Sequence, residues 1–243
     1  MELDAYRYTN PGGRSRNEDS ADCAIVENRA LFVLADGLGG HQDGDQASGL
    51  VVHTLLQQWR SCPRDGEAGE TWPVWLSQAI EQANRQVLAL QKAQGCTMKS
   101  TVAALVLEGG QAAWAHVGDS RIYHLSGGHV RHATQDHSVT YKKFLAGEIG
   151  RLDINFDEDR ASLLRVVGDE SRCVPEGDGC AVLPGDGFLL CSDGFWEHLY
   201  DEEILIDFLK SPSAQAWAEA MLVRALPRFA PGSDNLTLIA IRT

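Results

Sequence analysis

Apolar and polar residues follow two different periods along the chain, and each period predicts a type of element. Short apolar runs at 24–26 and 31–35 indicate strands. Segments 45–59 and 72–94 instead repeat apolar residues at helical spacing. The first third of the chain is therefore predicted to contain short strands followed by two helices that face a core.

From residue 100 onward the period is that of strands, with glycine pairs between successive runs. This pattern predicts a meander over 101–133, because glycine pairs permit the tight turns that join antiparallel strands. Further strands are predicted at 179–183, 188–191 and 236–241, and further helices at 201–209 and 213–226. Since helices occur in pairs between groups of strands, we predict an α+β fold with stacked antiparallel sheets covered by helices.

Length and composition agree with one compact domain over residues 1–243. Hydrophobic residues make up 44% of the chain, which supplies enough apolar material for a core. The sequence contains no run of the roughly 20 apolar residues that a membrane helix needs, and its first residues do not resemble a leader peptide. We therefore expect a cytoplasmic protein that does not bind a membrane.

One segment has no clear element assignment. Residues 139–160 combine mixed charge with weak periodicity. A mobile flap beside a functional site and an ordinary surface excursion both explain this pattern, and the sequence leaves the two interpretations open.

The charge and the cysteines limit the possible partners. A formal net charge of −13 disfavours nucleic acid, because the sequence shows no basic stripe to offset the repulsion of phosphate backbones. Six cysteines are scattered without a C-x-x-C pair, so we interpret them as reduced and not as metal ligands. We expect a monomer.

Four aspartates stand next to predicted strands. Asp36, Asp119 and Asp193 each follow a strand and have a glycine beside them, whereas Asp234 precedes one. In an antiparallel sheet the end of one strand lies beside the start of its neighbour, so these carboxylates can gather on one rim. Clustered carboxylates repel one another unless a cation binds them, and Mg²⁺ and Mn²⁺ accept shells made of oxygen ligands.

This interpretation competes with simpler ones. Any single Asp-Gly pair is also a common turn signal. Even a real pair of bound cations leaves phosphatase, nuclease and pyrophosphatase chemistry open, because two-metal sites serve each of these reactions.

Seven short blocks, spaced from Arg14 to Thr237, narrow the choice. They are Arg14-x-x-Asn17-x-Asp19, Asp36-Gly37-Leu38-Gly39-Gly40-His41-x-x-Gly44, Ser100-Thr101, Gly118-Asp119-Ser120-Arg121, Thr134-x-Asp136-His137-Ser138, Ser192-Asp193-Gly194 and Asp234-Asn235-x-Thr237. In this order they resemble the metal-dependent protein phosphatases of type 2C, the PPM family, and most closely its bacterial single-domain branch. The resemblance implies a central β-sandwich of two antiparallel sheets flanked by pairs of α-helices.

The resemblance also implies a set of metal ligands. By matching position, Asp36 bridges two Mn²⁺ or Mg²⁺ ions, and the Gly37 carbonyl binds the second. Asp193 and Asp234 complete the shell of the first ion. Asp119 helps to hold a third, looser ion and shares it with Asp193.

Three further residues receive catalytic roles from the resemblance. Asp19 matches an acid that orients the attacking water, and Arg14, not Arg16, matches the arginine that grips the substrate phosphate. A guanidinium suits this role because its planar fork donates two parallel hydrogen bonds. The chain departs from the eukaryotic pattern at Leu38, where a histidine is expected. His41 is then a candidate proton donor, and a role in bracing the adjacent glycine turn stays open beside it.

The implied activity is hydrolysis of phosphoserine and phosphothreonine in other proteins, with a cognate Ser/Thr kinase and its substrate as partners. A narrower resemblance connects the chain with phosphatases that accompany the kinases of type VI secretion. The alternative from another class is a non-catalytic module that binds phosphoproteins on the same fold.

Two further local patterns resemble catalytic motifs, and the rest of the sequence does not support a catalytic role for either. Gly118-Asp119-Ser120 suggests an esterase nucleophile at Ser120, but the Asp-x-x-His partner of such enzymes does not occur in the chain. His137 lies in an Asp-His-Ser run that readily forms a local turn, and we expect a structural role for it.

Overall fold

A computed structural model describes residues 3–26, 29–38, 43–62 and 71–243. The strands are β1 (Asp4–Asn10), β2 (Asp19–Val26), β3 (Arg29–Leu38), β4 (Lys99–Ser100), β5 (Val102–Glu108), β6 (Gln111–Val117), β7 (Arg121–Ser126), β8 (His129–Ala133), β9 (Glu176–Ala181), β10 (Gly187–Cys191) and β11 (Leu236–Arg242). The α-helices are α1 (Gly44–Ser61), α2 (Trp72–Gln94), α3 (Val139–Leu145), α4 (Asp193–Trp196), α5 (Asp201–Lys210) and α6 (Ala214–Ala225). Short 3₁₀ turns occupy Arg151–Asn155 and Leu226–Arg228.

The strands form two antiparallel sheets. One sheet has the order β1-β11-β10-β7-β8, and the other has the order β2-β3-β5-β6-β9 with β4 paired to β3. The chain passes from the second sheet to the first between β6 and β7, at Gly118–Ser120. The predicted mixed fold with two stacked antiparallel sheets is confirmed.

Strand β3 shows why the central strands read as apolar runs. Its alternate residues Phe32 and Leu34 lie in the core between the sheets. Leu31 and Val33 instead lie in a second core, which includes the buried residues of α1 and α2. Strands buried on both faces lose the alternation of apolar and polar residues and become continuously apolar.

The other sheet carries the matching helix pair. A third core joins Leu189 and Cys191 of β10 to Phe208 of α5 and Trp217 of α6. The molecule therefore has a helix pair on each outer face of the sandwich. Among the helices that the described ranges contain, none is long and apolar enough to cross a membrane.

Strand β1 was not predicted. Its sequence, DAYRYTN, contains no apolar run, and among the described strands it pairs with β11 alone, at the edge of the sheet. Tyr6 and Tyr8 pack against the core beneath α5 and α6. This strand depends on pairing with residues more than 225 positions away (Asn10 with Leu236, for example), and a local pattern cannot reveal such a contact.

Segment 139–160 contains α3 and a 3₁₀ turn. Ser138 caps α3, because its hydroxyl accepts a hydrogen bond from the Tyr141 backbone N–H at 3.1 Å. Lys143 forms an ion pair with Asp157 at 3.0 Å, and Arg151 forms one with Asp201 at 2.7 Å. The Lys143 pair lies within the segment, whereas the Arg151 pair attaches the segment to the start of α5. The role of the segment as a flap stays a prediction.

Candidate metal centre

Five aspartates gather at one end of the sandwich. Asp36 lies near the end of β3 and pairs across the sheet with Asp19 of β2. Asp119 follows β6, Asp193 begins α4 directly after β10, and Asp234 lies two residues before β11. A cavity of about 160 Å³ opens there, lined by Arg14, Glu18, Asp36, Gly37, Leu38, Asp119, Ala161, Leu163, Asp193, Asp234 and Asn235.

The backbone of Asp36 is held by two neutral hydroxyl residues. Its N–H donates to Thr101 Oγ1 at 2.9 Å, and its carbonyl accepts from the Ser100 hydroxyl at 2.8 Å. The Thr101 backbone N–H donates to the same carbonyl at 2.8 Å. These contacts fix the main chain without neutralising the carboxylate.

Gly37 occupies a position where a side chain does not fit. A Cβ built there would lie 2.1 Å from the carbonyl oxygen of Gly44 and 2.7 Å from that of Glu18. The strand therefore packs directly against the first turn of α1. The sequence predicted that this strand ends at Ala35. In the structure β3 continues through Gly37 to Leu38.

Ser192 connects the two sheets beneath the cavity. Its hydroxyl donates to Asp19 Oδ2 at 2.8 Å and accepts from the Thr237 backbone N–H at 3.0 Å. In the next residue, Asp193 Oδ1 accepts from the Gly194 backbone N–H at 2.6 Å. The Asp19 carboxylate is thus held at the end of β10, next to Asp193.

Asn235 ties the Arg14 loop to the start of β11. Its side-chain amide donates to the carbonyls of Pro11 at 2.9 Å and Arg16 at 2.8 Å, and its Oδ1 accepts from the Glu18 backbone N–H at 2.8 Å. Arg14 itself donates to Asp234 Oδ2 at 3.0 Å.

Burial and mutual repulsion raise the pKa values of these acids. Burial is the main cause for Asp36, whose pKa lies well above its usual value, and the charges of Asp19, Asp193 and Asp119 add to it. Burial and then Asp193 raise the pKa of Asp119 in the same way, and burial and then Asp234 raise that of Asp193. Burial raises the pKa of Asp19 to about 7, although its hydrogen bonds oppose the shift. The acids are therefore costly to ionise together without added positive charge.

The donor atoms fit hard divalent cations. Asp19 Oδ1 is buried and has no hydrogen-bond partner among the described residues. Carboxylate and carbonyl oxygens are the ligands that Mg²⁺ and Mn²⁺ prefer. Within the same described residues, however, no three His, Cys, Asp or Glu side chains have the arrangement of a metal-ion site. The structure thus brings the acids into one neighbourhood, and a complete ligand shell requires side-chain adjustment.

A wider cleft continues from this cavity. Its volume is about 530 Å³, and it shares Arg14, Asp193 and Asp234 with the smaller cavity. Phe156 and Arg160, from the 139–160 segment and its end, form part of its wall. The cleft has room for a side chain and a stretch of peptide beside the acids.

The sequence also singled out His41, His137 and Ser120. His41 falls outside the described residues. His137 is buried, accepts a hydrogen bond from the Gly118 backbone N–H at 3.1 Å, and stacks on His116. Burial, His116 and Arg165 lower the pKa of His137 to about 3, so the ring is neutral at physiological pH. Ser120 is buried and its hydroxyl pairs with that of Thr101 at 2.7 Å, so the geometry gives the esterase interpretation no support.

Sequence reasoning missed several residues of the site. Glu18 lines the cavity, and burial followed by the charges of Asp45 and Asp234 raises its pKa. The signal was present, since Glu18 fills the unspecified position of the Asn17-x-Asp19 block. The contacts of Asn235 with Arg16 and Glu18 span more than 200 positions and leave no local pattern.

Comparison with known proteins agrees with this fold. The family model for Protein phosphatase 2C matches residues 12–227. The serine/threonine phosphatase stp of Listeria welshimeri is 30% identical over 235 residues, which cover 94% of this chain and 92% of that protein. The chain belongs to the protein phosphatase 2C family.

Solved structures of similar proteins share the whole fold. The catalytic domain of serine/threonine protein phosphatase PstP, in complex with two manganese ions, matches with a TM-score of 0.83 at 28% identity, covering 99% of this chain and 97% of that one. PppA, described as a key regulatory component of T6SS in Pseudomonas aeruginosa, matches with a TM-score of 0.78 at 30% identity, covering 100% and 98%.

The raised pKa values predict that increasing pH destabilises the protein without Mn²⁺ and increases the stabilisation that Mn²⁺ provides. The folded protein keeps a proton on Asp19 up to about pH 7, whereas an unfolded aspartate loses it near 3.8. Without divalent cations, the stabilisation that comes from the proton on Asp19 is present at low pH. It is lost as pH rises from about 4 to 7. Mn²⁺ binds ionised carboxylates, so its stabilising effect grows over the same range.

Thermal unfolding at pH 5.5 and 8 in chelator, then in Mn²⁺, measures both effects. At about 100 times the Kd, Mn²⁺ adds roughly 2.7 kcal/mol, or about 5–10 °C in Tm, at pH 8. Asp19→Asn should reduce the pH dependence in chelator. Asp22→Asn, an exposed acid on the same strand, should leave it unchanged. An equal Tm at both pH values, with no response to Mn²⁺, contradicts the expectation.

Proposed function

We propose that the chain is a metal-dependent protein phosphatase that hydrolyses phosphoserine and phosphothreonine in other proteins. One observation supports this most directly: Asp36, Asp119, Asp193 and Asp234 line a single cavity together with Arg14. An acidic cavity binds cations, and a guanidinium at its edge suits a phosphate. Relatives of similar length are serine/threonine phosphatases, and one similar structure holds two manganese ions.

The proposed ligands are those of the family resemblance. Asp36 would bridge two Mn²⁺ or Mg²⁺ ions, the Gly37 carbonyl would bind the second, and Asp193 and Asp234 would hold the first. Asp119 would share a third, looser ion with Asp193. When bound, such ions lower the pKa of water and so supply hydroxide at neutral pH for attack on the phosphate ester.

The residues of the chain contribute binding, orientation and charge. The Arg14 side chain is 55% exposed at the cavity edge, where its guanidinium can move from Asp234 to two oxygens of an incoming phosphate. Asp19, anchored by Ser192, would use its unpartnered oxygen to orient the attacking water. The leaving serine or threonine oxygen also needs a proton, and His41 stays the proposed donor.

We further propose a setting for this activity. A cognate Ser/Thr kinase and its phosphorylated substrate would be the partners, and the match to PppA favours regulation of type VI secretion. The chain would act in the cytoplasm as a monomer and as one catalytic domain, with residues 139–160 as a flap over the cleft. Phe156 and Arg160 in the cleft wall support the proposed flap.

Asp193→Asn tests the activity. The variant keeps the shape of the side chain but loses its negative charge, and we expect Mn²⁺-dependent hydrolysis of a phosphothreonine peptide to fall about 100-fold or more. Asp178→Asn is a matched control, because Asp178 also precedes a glycine and its Oδ1 accepts from the Gly179 N–H at 2.8 Å, yet it lies on the exposed strand β9. Chelator should abolish turnover in both the wild type and this control.

Full turnover in Asp193→Asn would contradict the proposed function. Phosphopeptide binding by the wild type without hydrolysis, in saturating Mn²⁺, would instead favour the non-catalytic module.

Arg14→Ala tests the phosphate contact. Loss of a charged donor that is positioned for the transition state typically costs about 10² to 10³ in rate, so kcat/KM for the phosphopeptide should fall by that order. Arg16→Ala, two positions away in the same loop, should keep kcat/KM within about twofold. Equal losses in the two variants would show that the loop as a whole matters, and not the Arg14 guanidinium.

A further inference from the structure

Helix α4 is a single turn that carries two relevant residues. Asp193 begins the turn and Trp196 ends it. The Asp193 side chain lines the cavity, whereas Trp196 is buried and does not belong to the lining of either the cavity or the cleft. Trp196 therefore cannot touch substrate or a cation directly, and any role it has must act through its neighbours.

The indole of Trp196 holds the main chain at Asp119. Its Nε1–H donates to the Asp119 carbonyl oxygen at 2.9 Å, and both residues are at most 5% exposed. The hydrogen bond crosses from the end of β10 to the end of β6, which belong to different sheets. One helical turn thus carries Asp193 and fixes the position of Asp119.

One face of the indole is covered by a buried charge pair. The Arg121 guanidinium carbon lies 3.4 Å from the indole ring centre. Arg121 donates to both carboxylate oxygens of Asp136 at 2.8 and 2.7 Å, and to Tyr123 Oη at 3.1 Å. Because this guanidinium is buried and forms two hydrogen bonds with Asp136, it holds the ring in one orientation.

The Asp119 segment needs such support. Gly118 has a φ of +103°, and a Cβ at this position would lie 2.7 Å from Thr101 Cγ2. The residue before Asp119 thus has a backbone conformation that favours glycine, and it lies in the connection between the two sheets. Ser120, on the other side, bonds to the Thr101 hydroxyl. The Trp196 hydrogen bond links the Asp119 main chain to the turn that carries Asp193.

We propose that Trp196 is a positioning residue that sets the placement of Asp119 relative to Asp193, and thereby the affinity for the cation that these two acids share. The inference rests on the proposed function, since it concerns a divalent cation in the same cavity. Trp196 acts through Asp119 and makes no contact with the reacting groups.

Trp196→Phe tests the inference by removing the indole N–H while keeping an aromatic ring for Arg121. Trp217→Phe is the matched control, because Trp217 is equally buried and its Nε1–H donates to the Ile204 carbonyl at 3.1 Å in the α5–α6 layer. Mn²⁺ binding is measured directly, by electron paramagnetic resonance of free Mn²⁺ during titration. Thermal unfolding in chelator measures the purely structural cost of each change.

We expect Trp196→Phe to weaken the loosest Mn²⁺ site about 10- to 100-fold, whereas Trp217→Phe keeps the wild-type affinity. Activity of Trp196→Phe should fall at limiting Mn²⁺ and recover at saturating Mn²⁺, with KM for the phosphopeptide unchanged. In an Asp119→Asn background, the Trp196 substitution should have no further effect on Mn²⁺ binding. Equal Mn²⁺ affinities in the two tryptophan variants would overturn the inference.

A measurement on the wild type covers the case in which Trp196→Phe does not fold. During Mg²⁺ titration, the indole N–H resonance of Trp196 should shift with the Kd of the loosest site, while that of Trp217 stays fixed. An unmoved Trp196 resonance would overturn the inference. A wild type that binds no Mn²⁺ at all would defeat the proposed function itself, which separates the two failures.

Discussion

Repulsion among buried carboxylates is the interaction on which this end of the molecule depends. Burial is the largest cause of the raised pKa values in this group, and Asp19, Asp119, Asp193 and Asp234 each raise the pKa of another acid beside it. Arg14 contributes one positive charge at the exposed edge. The rest of the negative charge must be balanced by protons or by bound cations. At neutral pH divalent cations balance the negative charge and leave the carboxylates ionised. The repulsion that destabilises the site without metal therefore favours the binding of metal ions.

The framework around these acids is built from neutral groups. Ser100 and Thr101 hold the main chain at Asp36, Ser192 holds Asp19, and Asn235 ties the neighbouring loop to β11. Hydroxyl and amide donors fix backbone and side-chain positions without cancelling a negative charge. The charged pair of Arg121 and Asp136 lies further back, behind Trp196. The carboxylates thus remain available as ligands while their positions are restricted.

The sequence allowed the fold class to be predicted because β3 and β10 are buried on both faces and form apolar runs. It did not reveal β1, whose half-buried residues are stabilised by pairing with the far end of the chain. The acids of the cavity could be singled out because most of them follow a strand and adjoin a glycine. Their metal-binding roles stay predictions. Trp196 was not singled out, since its role depends on a contact with Asp119 across 77 positions and between two sheets.

The most direct test of the central claim is diffraction from a crystal of the protein grown in Mn²⁺, with data collected at the manganese absorption edge. Anomalous peaks should lie among the carboxylates of Asp36, Asp193 and Asp234, with at least two ions bound. Carboxylates that point away from one another, with no anomalous peak between them at saturating Mn²⁺, would contradict it.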